Sequence, residues 1–230
     1  MEIFDEIEKS IEQIEYDEKE YSCLEEESWQ GQRLGKFTSS RLGDLMTSGR
    51  GKDKYWGDTA MSYIYEKIAE LITRIPHFQA ESASIAWGHD NEAEAIQAYV
   101  DQTRNNVQYM GEVFIKFNEL CGGSPDAFID DDGVIEVKCP YNSSNHIKTY
   151  ITREVPKAHF YQCQGNMLFT SRQYCDYVSY DPRMPEGMRL VIIRVDRDDS
   201  ICDSILERIN RAVDKIKEIE NLTGVKILKA

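Results

Sequence analysis

Several things are missing from this 230-residue chain, and each absence removes a class of protein. There is no CxxC pair: the six cysteines stand apart at 23, 121, 139, 163, 175 and 202. Spread so widely, they read as free thiols in a reducing cytosol rather than a disulfide framework. No stretch approaches the roughly 18 consecutive apolar residues of a membrane span. The acidic N-terminus is not that of a signal peptide. There is no internal repeat, no low-complexity tract and no clear domain boundary. The length suits one sizeable domain with a real core.

Positive charge is also scarce. Lys and Arg number 27 against 41 Asp and Glu, a formal net charge of −14. That looks wrong for a protein that binds phosphates, which draws on Lys and Arg. The imbalance is local, however. Residues 1–27 hold twelve acids against Lys9 and Lys19, a net of −10, which leaves −4 for the other 203 residues. Basic groups can still line one surface of the body. The charge neither proves nor excludes a polyanionic partner.

What is present is concentrated in Gly123-Ser-Pro-Asp-Ala-Phe-Ile-Asp-Asp-Asp-Gly-Val-Ile-Glu-Val-Lys-Cys-Pro140. Val134, Ile135 and Val137 are β-branched and read as strand. Asp132-Gly133 is a two-residue hairpin signal, so a strand carrying Asp126 should turn back into a strand over 134–139. Alternation then places Glu136 and Lys138 on one face and Ile135 and Val137 on the other. Two acids and a lysine converge at one end of the hairpin. Two carboxylates suit Mg²⁺, which prefers oxygen ligands, keeps several waters and sits beside substrate phosphates. A bound metal lowers the pKa of its water and stabilises a phosphate under attack. A lysine beside that water can orient it, or help deprotonate it if its own pKa is lowered. Phosphodiester hydrolysis is the natural reading. On Glu136-Val-Lys138 alone, the solvated face of an amphipathic strand would be the commoner explanation.

A second stretch, Trp29-Gln-Gly-Gln-Arg-Leu-Gly-Lys-Phe-Thr-Ser-Ser-Arg41, offers an anion site. Thr38, Ser39 and Ser40 supply an N-cap for a short helix from Arg41 to Met46. A helix N-terminus binds phosphate through free N–H groups, and Arg33 can clamp it bidentately. Arg50, Lys52 and Lys54 continue the basic character in a Gly-rich loop. Ser/Thr caps and charged loops are also ordinary features of chains with no anion site.

The remaining pattern gives the frame. Phe4, Ile7, Ile11 and Ile14 make an amphipathic acidic helix over 2–20, suited to docking on the body or a neighbouring subunit. Residues 59–75 form a core helix on Met61, Ile64, Ile68, Leu71 and Ile72. Another helix runs from Ala86 to about Asp101, with Glu92, Glu94 and His89 as ordinary surface groups. Val107 to Phe117 alternates as a strand, and 141–152 is polar and turn-rich. Pro156 opens a helix over 157–170. Two strands follow, Tyr174–Tyr180 and Arg189–Val195, then a terminal helix 199–222 buried along Ile201, Ile205, Ile209 and Val213. Glu207 and Arg211 pair on its outside. The order implies an α/β domain with a mixed central β-sheet flanked by helices. Residues 1–28 form the acidic helix and 29–230 the domain.

Pro125-Asp126, nine intervening residues and Glu136-Val137-Lys138 together resemble the PD-(D/E)xK nuclease motif. More narrowly, Ser124-Pro-Asp…Glu-Val-Lys-Cys-Pro140 is similar to the lambda-exonuclease-like, YqaJ-like viral recombinase family. The likeness extends to Trp29-x-x-x-Arg33-Leu-Gly-x-x-Thr38-x-Ser40, to Trp87-Gly-x-x-x-Glu92 and to Tyr180-Asp-Pro-Arg-Met184. It spans roughly residues 29–195. It implies a restriction-endonuclease-like fold, and a deoxyribonuclease that digests linear double-stranded DNA from its ends, 5′ to 3′. The products would be nucleoside 5′-monophosphates and 3′ overhangs for homologous recombination. The resemblance implies two Mg²⁺ ions per site, with Mn²⁺ able to substitute, held by Asp126, Glu136, the Val137 carbonyl and Glu92. Lys138 and Gln164 would handle the water. Arg33, Ser40, Arg50 and Ser124 would grip phosphate, and Ile85 would wedge the duplex apart. A ring-shaped homotrimer, a single-strand annealing partner and a bacterial or phage-infected cytosol are implied on the same footing. Some nucleases of the superfamily carry an iron–sulfur cluster, but Cys163, Cys175 and Cys202 are too scattered for one. A structure-specific or restriction-type endonuclease, or a non-catalytic DNA-binding subunit, are the alternatives.

Overall fold

The β-branched run of the central stretch forms an inner strand because both of its faces find cover. The computed structural model describes residues 28–50, 55–77 and 82–228. The helix expected over 2–20, Cys23, Lys52 and Lys54 lie outside the described residues. The first half of the described chain comprises α1 (Trp29–Arg33), β1 (Phe37–Thr38), a 3-10 turn (Ser39–Arg41), α2 (Leu42–Leu45), α3 (Asp58–Thr73) and α4 (Ala83–Thr103). Five strands follow: β2 (Val107–Tyr109), β3 (Ile115–Lys116), β4 (Cys121–Gly123), β5 (Ala127–Ile129) and β6 (Gly133–Lys138). Next come α5 (Ser143–Thr152), α6 (Lys157–Thr170), β7 (Tyr174–Tyr180), β8 (Leu190–Asp196) and α7 (Asp199–Thr223).

The main sheet has the order β2-β5-β6-β7-β8. Only β6 and β7 run parallel within it, joined by a crossover through α5 and α6. A smaller sheet, β1-β4-β3, stands beside it. On one face of the main sheet α4 packs Ala95, Ile96 and Tyr99 against Ile135, Val137 and Val178. On the other, α6 sets Cys163 and Met167 against Val134, Cys175 and Tyr177. A third core gathers α2, α3, α6 and α7 around Leu42, Tyr63, Phe169 and Ile209. The α/β class with a mixed sheet between helices is the one expected.

Several elements differ from the sequence reading. The hairpin between β5 and β6 is not a two-residue turn. Gly133 pairs with Ile129 inside the ladder, which leaves Asp130, Asp131 and Asp132 as the loop, with Asp130 left-handed at φ 43°. Gly133 is required by packing instead, since a Cβ there would come within 2.4 Å of the Tyr174 ring. The single strand expected over 107–117 is two short strands in different sheets. Residues 143–152 are helical despite their polarity. Asn142 caps the start by accepting from the Ser144 amide (3.0 Å). His146 is fully buried, donating Nε2–H to the Met188 carbonyl (2.7 Å) and accepting at Nδ1 from Ser179 (2.8 Å). On α3, Ile64 and Ile68 are buried, but Ile72 falls past the edge of the stripe and is 51% exposed.

Candidate active site

The ladder itself builds the centre of the site. Ala127 pairs with Ile135, and the Asp126 amide donates to the Ile135 carbonyl (3.1 Å), so Asp126 lies across from Glu136. Asp126 Oδ2 accepts from the Val137 amide (2.5 Å). Glu136 is completely buried, projecting from β6 on the α6 side because of the strand's alternation. Its Oε1 accepts from the Lys138 ammonium, and its Oε2 accepts from Asn166 Nδ2 (2.8 Å). Glu92, on α4, accepts from the Tyr109 hydroxyl (3.1 Å) and lies within electrostatic reach of both acids.

The electrostatics follow from three carboxylates and one ammonium. Burial first, then the neighbouring Glu136, pushes the Asp126 carboxyl well above its usual range. Burial also raises Glu136, against the lowering effect of Lys138. For Lys138, burial works toward neutrality, but Glu136 and Asp126 outweigh it and hold the amine well above its ordinary value. It stays an ammonium and offsets part of the acids' charge. A free-base role is not favoured.

Beside this acid centre lies a cationic cradle. The Arg33 guanidinium sits 4.0 Å over the Trp29 ring and donates Nη2–H to Ser40 Oγ (3.2 Å). Trp29 Nε1 donates to Ser124 Oγ (3.2 Å), and Ser124 stands two residues before Asp126. Arg33 has no carboxylate within ion-pair distance among the described residues, and burial lowers its pKa. A partly desolvated guanidinium of this kind, with hydroxyls beside it, favours an anion. The expected helix cap is not formed, because the Thr38 side chain accepts from no backbone amide of the short turn after it, and no side chain caps α2. The Thr38 hydroxyl pairs with Ser40 Oγ instead (3.1 Å). Arg50 is exposed at the loop end. Ile85 is half-buried in the first turn of α4.

Gln164 does not reach the acids. It is fully buried on the far side of α6, donating to the Asp196 carbonyl (2.9 Å) and accepting from the Asp198 amide (3.0 Å). Asn166 approaches Glu136 instead, and the buried Gln162 lies one turn before it on the same helix face. The resemblance implies Gln164, but helix phase turns it away from the acids and brings Asn166 to Glu136. A polar pair four residues apart in an otherwise buried helix was the available signal. Gly123 makes room for Asn166, since a Cβ there would come within 2.8 Å of Asn166 Oδ1.

Comparison with known proteins gives the lineage. A family model, the YqaJ-like viral recombinase domain, matches residues 28–173. The chain belongs to the YqaJ-like viral recombinase family. Its structure resembles an alkaline exonuclease from Laribacter hongkongensis at TM-score 0.75 and 32% identity, covering 85% of this chain and 95% of that one. The same exonuclease in complex with dAMP matches at TM-score 0.74, with 32% identity over 84% and 94% of the two chains. A phage-related exonuclease from Haemophilus somnus shares the fold at TM-score 0.66 and 17% identity, over 82% and 96%. No curated protein matches. This YqaJ-like chain therefore has a PD-(D/E)xK-type fold. Within it, Asp126, Glu136 and Lys138 converge beside the Arg33 cradle.

Proposed function

We propose that the chain is a Mg²⁺-dependent exodeoxyribonuclease that resects linear double-stranded DNA from 5′-phosphorylated ends. The observation that carries this reading is the placement of an under-neutralised carboxylate pair beside a guanidinium cradle, joined through Trp29 and Ser124. Membership of the YqaJ-like family supports it.

Among the described residues, no three acidic, histidine or cysteine side chains form a ready metal cage. Asp126 and Glu136 still fit Mg²⁺, which takes one or two carboxylates and completes its shell with water and substrate phosphate. The Val137 carbonyl, and Glu92 once released from Tyr109, are further oxygen donors for a second ion, and Mn²⁺ would be accepted by the same ligands. Bound there, the metal would acidify a water and stabilise charge on the phosphate. The protein's own groups do the rest. Arg33, Ser40 and Ser124 hold the terminal 5′-phosphate, with Arg50 as a distal electrostatic contributor. Lys138 orients the attacking water and neutralises charge, with Gln162 in the role first given to Gln164. Attack at phosphorus breaks the bond to the 3′-oxygen and releases a nucleoside 5′-monophosphate. The shortened strand carries a new 5′-phosphate, so each cut regenerates the group the cradle binds.

The exposed 3′ strand is a substrate for recombination with an annealing partner in a bacterial or phage-infected cytosol. A ring-shaped homotrimer would keep the enzyme on its DNA, and Ile85 would part the duplex. The test is digestion of a linear duplex phosphorylated at one 5′ end and strand-labelled, with Mg²⁺ and then EDTA. Mononucleotides from the phosphorylated strand, lost with EDTA, are the expected result. Cutting of covalently closed circles would move the assignment to an endonuclease. Binding with no metal-dependent cleavage would leave a scaffold.

A further inference from the structure

We propose that Tyr141 is a nucleobase-stacking platform at the cut end of the DNA, a subsite separate from the phosphate cradle. The inference rests on the nuclease reading above. Arg183 commits its hydrogen bonds to Asp181 and the loop after Lys138. Arg183 gives Nε and Nη2 to the buried Asp181 (2.8 and 2.9 Å), Nη2 also to the Pro140 carbonyl (2.9 Å) and Nη1 to the Tyr141 carbonyl (3.0 Å). Its guanidinium lies 4.3 Å over the Trp87 ring. Trp87 in turn meets the Tyr141 ring edge-on, 6.3 Å between centroids at 78°. The loop after the catalytic strand is thus clamped at two successive carbonyls and supported by an indole from the helix that carries Glu92.

The ring so mounted is left open. Tyr141 is 54% exposed. It follows Lys138 by three residues, and the intervening Cys139 lies within electrostatic reach of Glu92, Asp126, Lys138 and Asp181. The platform therefore borders the acid centre. A lone surface tyrosine needs no explanation, but one anchored through three side chains beside a phosphodiester-cleaving site does. Base–aromatic stacking is tolerant of sequence because every base has a π-face. That tolerance suits an enzyme that must accept each nucleotide in turn. The run Tyr180-Asp-Pro-Arg-Met184 gains a function here, since Asp181 and Arg183 are the clamp.

The experiment uses duplexes with 2-aminopurine at the first or second position of the phosphorylated strand, or opposite these in the complementary strand. Ca²⁺ replaces Mg²⁺ so that binding is read without cutting. Fluorescence quenching on binding the wild-type protein is expected, and the strand that responds identifies which base stacks. Tyr141→Ala should lose most of that quenching and bind ends about tenfold more weakly, the range set by loss of one stacked base. Tyr141→Phe and Tyr141→Trp should retain both. With Mg²⁺, Tyr141→Ala should raise KM by about the same tenfold, because the stacked base is held in the bound substrate. Undiminished quenching by Tyr141→Ala, or equal losses in Tyr141→Phe and Tyr141→Ala, would overturn the platform while leaving the nuclease standing. Failure of the wild-type protein to bind any of the duplexes would overturn both.

Discussion

Glu136 and Asp176 are buried acids on neighbouring parallel strands, one step apart in register, and they are treated in opposite ways. Asp176 pairs with Ile135 in the ladder and faces α4. It receives both Nε and Nη2 of Arg194 (2.8 and 2.9 Å) and the Tyr99 hydroxyl (2.6 Å). It has one carboxylate, one guanidinium and a third donor. Glu136 faces α6, where it and Asp126 share the single ammonium of Lys138, with Glu92 adding a further negative charge. A buried charge is tolerated when it is paired and bonded. Asp176 meets that condition from within the chain. The Asp126–Glu136 pair does not, and the missing positive charge is what a cation would supply. Local compensation, rather than burial, separates the structural acid from the pair proposed to be catalytic.

Substitutions at the two acids should have opposite consequences. Asp126→Asn, Glu136→Gln or Lys138→Ala should lower kcat on linear duplex by about a thousandfold or more, as loss of metal or water-handling groups does. Far-UV spectra and melting of the two acid variants should stay close to wild type, because removing an acid there relieves repulsion, whereas Lys138→Ala leaves two buried acids without their ammonium and should melt lower. Wild-type turnover in any of the three would remove the site assignment. Asp176→Asn should do the reverse. It leaves Arg194 without its partner and should cost about 2–3 kcal/mol in urea unfolding, below the fully buried range because Arg194 is half-exposed. The folded fraction should cut DNA at the wild-type rate.

A finer test concerns how Glu136 is held. Asn166→Ala removes the bond to Oε2 and should lower kcat about tenfold while raising the Mg²⁺ concentration needed for half-maximal rate, the expected size for a ligand's hydrogen-bond partner. Asn166→Gln should not restore the geometry in so tight a space. An unchanged Mg²⁺ requirement in Asn166→Ala would reduce Asn166 to packing.

How much of this could be read from the chain depends on whether the signal is local. The hairpin, the alternation of Glu136 and Lys138, and the helices over 58–73, 157–170 and 199–223 follow from periodicity within a short window. The cradle residues Arg33 and Ser40 stand in one run, seven apart. Asn166 was missed because its partner is thirty residues away, and no local period marks it. Gln164 follows from the resemblance's spacing along the chain, whereas the direction of a helical side chain depends on phase relative to the sheet, which only packing fixes. Helix α5 was missed because its stabilisers, the Asn142 cap and the two bonds of buried His146, come from one residue outside it and from contacts more than thirty residues away. Even Glu136 read as half-exposed until α6 covered its face.

The smallest effect concerns a histidine near Lys138. His159, on α6, shares a bond with the Tyr177 hydroxyl (3.0 Å) and stacks on that ring at 5.6 Å. Burial first, then the nearby Lys138 ammonium, lowers its pKa from 6.5 to about 4. Its neutral form is therefore the one the fold accepts. Above pH 6.5 the imidazole is neutral in both folded and unfolded chains and costs nothing. Between 6.5 and 4 the unfolded chain binds a proton that the folded chain refuses, so stability falls as pH is lowered through this window. Carboxylates titrate over part of the same range, which makes the wild-type curve alone uninformative. The difference between wild type and His159→Gln isolates the histidine. Urea midpoints of the two should run parallel above pH 7 and converge or cross as pH falls from 6.5 toward 4, with the wild type losing more. A constant offset over that whole range would mean that His159 takes its proton as readily in the folded protein as in the unfolded chain.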